Sequence, residues 1–454
     1  MSEVSAPTYE TIVARIERLP ISRWHRSVRV ILGICTMFDA IDAVSIAFVL
    51  PVLIGLWGLS PGQIGLLLSS GFVGQLIGSA GFGFVGERYG RVFALNLTIL
   101  IISVFGLACA FSGSYSALLI FRFFQGLGIG GEIPLAATYV NEIAKTHRRG
   151  RFVLLYQAIY PVGFVVASIG SIWVVPELGW RWMFILGALP AVLMIAIQRV
   201  VPESPRWLAR RGRLREADAI LTGLERKIFG DVPPPPLRVS LRATTPVQTA
   251  RIAELFEGIY AARTLCVWVM WFCSSMIGYG LLVWLPSLFH TVYHLSVRQS
   301  LVFSVLGNTT VLAMAVIAAF AIDVIGRRRV FVLSFTAAGL PLFILWLLGQ
   351  PTAVTVMLLA AVSSTCISAA QLSLWTYTPE IYPTRMRALG TGTASAWARA
   401  GSMLGPPLVG WLLAGTHQVS IIFLIFACAG FIGAATVMLF GTETSGRVLE
   451  EVSP

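Results

Sequence analysis

Charge is what this chain has least of. Only 12% of its 454 residues are Asp, Glu, Lys or Arg, against 56% hydrophobic residues and a mean hydropathy of +0.81. That is about half the charge of an ordinary soluble domain, and apolar runs long enough to cross a bilayer repeat along the whole length. The composition excludes a soluble protein and indicates a polytopic helical membrane protein. Histidine and cysteine are sparse as well. The five histidines (His25, His147, His290, His294, His417) are scattered and mostly loop-placed, and no nucleophile–base set or metal spacing emerges. We therefore expect no enzyme, no cofactor and no metal site. The six cysteines (Cys35, Cys109, Cys266, Cys273, Cys366, Cys428) all sit inside apolar runs, which argues against a disulfide framework. GLGIGG at Gly126–Gly131 echoes a phosphate-binding loop, but it lies inside a predicted span, where small residues permit close helix packing. The sequons at Asn96 and Asn308 lie in or beside hydrophobic segments, and the polar first 27 residues carry no signal-peptide pattern.

The charge that is present follows membrane topology. The formal charge of +12 does not imply nucleic acid, because the basic residues fall almost entirely between spans. Twelve spans are predicted near 28–56, 62–86, 92–112, 115–143, 152–175, 181–201, 264–291, 298–324, 329–349, 352–380, 388–414 and 419–440. Alternate loops are Arg-rich, whereas the others carry only Arg181 and Arg298 at helix starts. The positive-inside rule then places both termini in the cytoplasm of a multi-pass inner-membrane protein. The predicted organisation is an N-terminal segment (1–27), a six-helix half (28–201), a cytoplasmic linker with short helices (202–263), a second six-helix half (264–440) and a tail (441–454).

The halves repeat. Tyr139, Glu142, Ile143, Thr146 and Arg149 recur at one constant offset as Tyr377, Glu380, Ile381, Thr384 and Arg387. Glu87, Gly90 and Arg91 after span 2 match Asp323, Gly326 and Arg327 after span 8. Duplicated halves around a central site are the architecture of secondary transporters.

GERYGR (Gly86–Arg91), its copy IDVIGRRR (Ile322–Arg329), RFFQGLGIGGE (Arg122–Glu132), PESPRW (Pro202–Trp207) and PEIYPTRMR (Pro379–Arg387) carry a resemblance over essentially the full length. By them the chain resembles the major facilitator superfamily, in its sugar-porter, metabolite and organic-ion branch. Span 7, CSSMIGYGLLVWLP (Cys273–Pro286), lacks the paired glutamines usual in sugar porters. With FDAIDAVSIAFVLP (Phe38–Pro51) it is more similar to aromatic-acid and niacin transporters, the synaptic vesicle glycoprotein 2 family and organic-ion transporters.

Charged residues inside spans are costly, about 2.5–3.5 kcal/mol at mid-bilayer on insertion scales, so each one invites a functional reading. Asp39 and Asp42 in span 1 are three residues apart, on one helix face that points to protein or water rather than lipid, and both are candidates for proton coupling or for substrate binding. Arg122 lies about eight residues into span 4 and Asp42 roughly 21 Å along span 1 at 1.5 Å per residue, so the two reach similar depth. The resemblance implies that this arginine faces a span-1 acid, at the position of Asp42, whose protonation couples to transport; a permanent structural pair is the plain alternative. Arg399 sits ~18 Å into span 11 with no acid in its own span. It needs an acid from elsewhere, such as Asp39, or an anionic substrate, whose carboxylate the planar guanidinium suits. The resemblance places Glu132 in the cytoplasmic gate with Glu87, Arg91, Glu142, Arg149, Asp323, Arg327, Glu380 and Arg387, where acid–base pairs bridging the halves would close the inner side.

Aromatic and amide side chains at mid-span complete the expected site. Tyr156 and Tyr160 on span 5, Trp268, Trp271, Phe272, Tyr279 and Trp284 on span 7, and Trp375 on span 10 are cavity or packing residues. The resemblance singles out Tyr160, Tyr279 and Trp375. Gln371 lies one turn before Trp375, and Gln75 and Asn308 are further mid-span amides. An aromatic clamp, an amide and one cation suit a small planar ring bearing a carboxylate; nicotinate and a hydroxybenzoate both fit. The expectation is a monomeric carrier in the bilayer that imports such an acid, niacin first, with protons, by alternating access. A facilitative uniporter, an organic-cation carrier and a non-transporting membrane binding protein remain open as alternatives.

Overall fold

The computed structural model describes residues 7–144, 152–153, 155–156, 159–230, 235–237, 251–383, 385–415 and 419–444. Among them there is no strand. A short helix α1 (Tyr9–Arg18) precedes five passes: α2 (Arg23–Trp57), α3 (Pro61–Tyr89), α4 (Arg91–Ala110), α5 (Tyr115–Ile143) and α6 (Ile159–Trp173), which runs on into a π turn at Val174–Leu178. The sixth pass is broken into α7 (Arg181–Gly187) and α8 (Pro190–Val200), because Pro190 has no N–H to continue the ladder. After α9 (Pro205–Arg210) and α10 (Leu214–Phe229) come a 3-10 turn (Ile252–Phe256) and six more passes: α11 (Ile259–Thr291), α12 (Val297–Ile325), α13 (Arg327–Leu348), α14 (Ala353–Glu380), α15 (Arg387–Gly415) and α16 (Val419–Phe440).

Among the described residues, ten helices or helix pairs are long and apolar enough to span a bilayer. The other two passes, α12 and α15, complete the set of twelve. α15 is rich in Gly, Ser, Thr and Pro and carries Arg399, which lowers its hydropathy although it lies among the other helices. We call the side holding α1, α9 and α10 the near side. On the far side, Ser60, Ser114, Ser296 and Thr352 each accept the amide hydrogen three residues on and so begin α3, α5, α12 and α14. Gln63 and Gln299 return the bond to Ser60 N and Ser296 N, a capping box repeated in both halves.

Within each half, backbones approach closely. A side chain at Gly126 of α5 would strike the Gly71 carbonyl of α3, and one at Gly130 the Gln75 carbonyl. With no water to drive association in lipid, such packing holds the helices together. The halves meet toward the far side. Ser69 donates to the Met403 carbonyl at 2.9 Å, and Gly65 and Gly410 lie against the backbones of Pro407 and Pro61. The near third of α3 is bound instead to its own half: Gly86 abuts Leu135, and the Glu87 carbonyl accepts from Trp207 and Arg211. The helix pair α3 and α15 is thus sealed on the far side.

On the near side, α1, α9 and α10 bury Ile12, Ile16, Leu19, Trp207, Leu208, Leu221 and Leu224 against each other. Arg15 pairs with Asp218 and with Glu225 at 2.7 Å, Arg18 with Glu225 at 2.6 Å and Arg206 with Glu17 at 2.7 Å. The segment before span 1 and the start of the linker therefore form one packed cap.

Candidate functional site

Two polar clusters lie inside the bundle, and Asp39 belongs to the space between them. The first is enclosed by the N-terminal half. Asp39 and Asp42 on α2 are both buried. Arg122 on α5 reaches the same level as Asp42, but no ion pair joins its guanidinium to the Asp42 carboxylate. Arg122 donates to the Asp42 backbone carbonyl at 3.3 Å and to Gln125 Oε1 at 2.7 Å, and lies 5.9 Å from the Phe184 ring centroid. Both Asp42 carboxylate oxygens and Gln125 Nε2 are buried without a hydrogen-bond partner. α7 covers this spot so tightly that a Cβ at Gly187 would collide with Asp42 Oδ1.

Asp39, nearly one turn toward the near side, faces a different set. Its carboxyl adjoins that of Glu132 on α5, which is fully buried. Thr36 Oγ1 lies 3.4 and 3.5 Å from the two Glu132 oxygens and 2.7 Å from the Tyr156 hydroxyl. The structure thus sets Glu132 beside Asp39, apart from the near-side charges with which the resemblance grouped it. Tyr156 is likewise bound into this cluster.

The second cluster lies where the halves meet. Arg399 on α15 donates to Gln75 Oε1 on α3 at 3.4 Å, and the hydroxyls of Tyr160 on α6 and Tyr279 on α11 are within its electrostatic reach. Tyr279 stacks edge-on against Phe72 with centroids 5.1 Å apart, and Tyr160 also senses Asp39. Gln371 on α14 borders Gly278, next to Tyr279. Arg399 has no acidic partner among the described residues. Four helices from the two halves therefore converge on a guanidinium whose nearest hydrogen-bonding neighbours are neutral. Trp375 packs its edge on Trp271 at 4.9 Å and is substantially exposed, and Asn308 is buried on α12.

Among the described residues, the near-side pairs of Arg91 and Arg327 lie inside their own halves. Arg91 binds Glu87 at 2.6 Å and Glu142 at 3.2 Å, and Arg327 binds Glu380 at 3.3 Å. Glu203 accepts the backbone N–H groups of Arg91 and Val92, and Glu443 those of Arg327 and Arg328. Both acids so cap the helices that follow Gly90 and Gly326, at φ +117° and +95°. The Tyr139 hydroxyl donates to the Pro202 carbonyl and that of Tyr377 to the Thr442 carbonyl, which repeats the arrangement. Sequence reasoning did not assign Glu203 and Glu443. Their signal was an acid followed by a hydroxyl residue after the last helix of each half, Glu203-Ser204 and Glu443-Thr444. Arg387 donates to the Tyr382 carbonyl at 3.5 Å; Arg149 and the Asp323 side chain lie outside the described residues.

Twelve passes in two halves, with a cation between them that has no acidic partner among the described residues, define a polytopic carrier for small molecules. The model of the sugar (and other) transporter family matches residues 36–454, and the chain belongs to that family of the major facilitator superfamily. It is 35% identical to the niacin transporter NiaP of Acinetobacter baylyi over 445 residues, covering 97% of this chain and 99% of that one. It is 28% identical to the synaptic vesicle 2-related protein of Xenopus laevis, covering 99% and 84%. Its fold superposes with a TM-score of 0.75 on the partially occluded inward-open xylose transporter XylE from E. coli, at 20% identity, covering 94% of this chain and 100% of that one.

Proposed function

We propose that this transporter imports a small aromatic monocarboxylate, nicotinate first, together with protons by alternating access. The observation that carries the reading is Arg399: a mid-span cation at the junction of the halves, hydrogen-bonded to the neutral Gln75, flanked by Tyr160 and Tyr279, and without an acidic partner among the described residues. An unpaired guanidinium in a low-dielectric interior is costly, and a carboxylate that docks on its fork relieves that cost. The tyrosine rings and Phe72 supply apolar walls for a planar ring, and Gln371 an amide for a ring heteroatom. The name carried by the 35%-identical relative, a niacin transporter, supports the same substrate class. Arg-rich loops support an inner-membrane orientation with the near side cytoplasmic. A monomer holds every residue the reading uses. Radiolabelled nicotinate uptake into proteoliposomes tests it: accumulation above equilibrium only with an inward proton gradient is expected. Binding or exchange that ignores the gradient would remove the coupling, and the lack of any interaction would remove the substrate.

A further inference from the structure

We propose that Asp39 and Glu132, from spans α2 and α5, form a carboxyl pair that shares one proton and is the site where the transported proton is loaded and released, with Thr36 and Tyr156 extending it by hydroxyls. The inference rests on the proton-coupled reading above and assigns its coupling site to residues other than the Asp42–Arg122 couple.

The geometry separates the two places. Asp42 is shut in by Gly187 and Phe184 of α7 and faces Arg122 and Gln125, all within the N-terminal half. These surroundings belong to one half and move with it, so rearrangement of the halves has little direct purchase on its charge. Asp39 is placed differently. The titratable groups facing the pair are Cys35 and Asp42 from α2 itself, Tyr156, and Tyr160 from α6; none is a cation. Two carboxyls side by side in such a setting cannot both ionise, because each charge repels the other without a counter-ion; one proton held between them turns the repulsion into a hydrogen bond. One Asp39 oxygen, Oδ2, is buried without a hydrogen-bond partner.

The pair is also connected in both directions. Toward the junction, Asp39 acts on Tyr160, which stands with Tyr279 beside Arg399. A carboxylate bound at Arg399 changes the charge sensed at Tyr160 and hence at the pair, so substrate and proton favour each other's binding by linkage. Toward the near side, Thr36 lies one turn earlier on α2, and its hydroxyl touches both Glu132 and Tyr156. The transfer is balanced: the loaded pair holds two protons and is neutral, one of them leaves for water, the remaining proton is shared so that the pair carries a single negative charge, and re-protonation restores the loaded state.

The test is charge movement after a pH jump on a supported membrane of full-length protein without substrate, so that it does not depend on nicotinate. A transient current is expected in the parent, absent in Glu132→Gln and in Asp39→Asn, and restored with a shifted pH profile in Glu132→Asp, which keeps the acid on a shorter arm. Restoration by Glu132→Asp shows that the loss is not misfolding. A current that survives Glu132→Gln, or one lost only on Asp42→Asn, overturns the assignment, as does a parent without current. Failure of nicotinate accumulation alongside a current lost in Glu132→Gln removes the substrate reading and leaves the proton pair standing.

Discussion

At the scale of single residues, the decisive contrast is between charges paired with charges and those held by neutral groups. Arg91 and Arg327 are bound by acids and helix caps; Arg399, among the described residues, meets an amide and two phenols. Truncation in Arg399→Ala should therefore weaken nicotinate binding by about 1.5–3 kcal/mol, roughly ten- to a hundredfold in Kd, the worth of hydrogen bonds to a charged group. Equilibrium binding to detergent-solubilised protein measures it, and undiminished affinity would remove the anion-anchor role. Asp39, Asp42, Arg122 and Arg399 were legible because a charge in an apolar run stands out against its background. Their partners were not. Gln75 and Arg399 are 324 residues apart, and whether two such side chains meet depends on how α3 crosses α15. Glu132 was visible as a charge, but its depth follows from the tilt of α5 against α2, which periodicity does not reveal.

At the scale of elements, glycines and caps decide how helices seat. A side chain at Gly126 would enter the Gly71 carbonyl, whereas Gly170 on α6 has open space around its Cβ position. Gly126→Leu should cost about 1–3 kcal/mol or more by overpacking, and Gly170→Leu nothing, since a helix former replaces a residue that is unfavourable by ~0.5–1 kcal/mol. Thermal unfolding midpoints of the two purified variants give the comparison; equal midpoints would refute the close-packing account. The near-side cap adds a pH-dependent element. Burial pushes the Glu225 carboxyl up, but the hydrogen bonds from Arg15 and Arg18 outweigh it and hold the group below its ordinary value. A carboxyl lowered in the folded state stabilises the cap fully above its unfolded pKa and loses that contribution as pH falls through the folded one. The protection of amides in Tyr9–Arg18, taken relative to their intrinsic exchange rates, should accordingly fall under acid in the parent, and should be low already at neutral pH in Glu225→Gln. The helical stretches of the cap could be read from their periodicity, but not their docking on one another: the whole first six-pass half lies between α1 and α10 in sequence, and they meet through apolar faces and ion pairs that pattern alone does not pair up.

At the scale of the whole molecule, the two halves are closely packed within themselves, and α3 and α15 seal them together toward the far side. Among the described residues the near-side ion pairs lie within halves, so in this arrangement they set the shape of each body rather than bind the two together. The seal is made of small residues and backbone: Gly65 on Pro407, Gly410 on Pro61, and the Ser69 bond to Met403. Alternating access requires that seal to part while the near side closes, and packed interfaces of this kind switch between discrete arrangements. A wedge in the seal should therefore shift the population without touching the substrate site. In Gly410→Leu the new side chain meets the Pro61 carbonyl, and the two helices can accommodate it only by separating. A cysteine introduced as Ser69→Cys should then react faster with a membrane-impermeant maleimide from the far side than the same cysteine in the parent, measured against a Cys428→Ser background because Cys428 is exposed. Net uptake should fall in the same variant, since a carrier biased toward one side turns over slowly, whereas far-side binding of nicotinate should persist. Unchanged labelling with lost uptake would mean that the wedge damages a half instead of opening the seal.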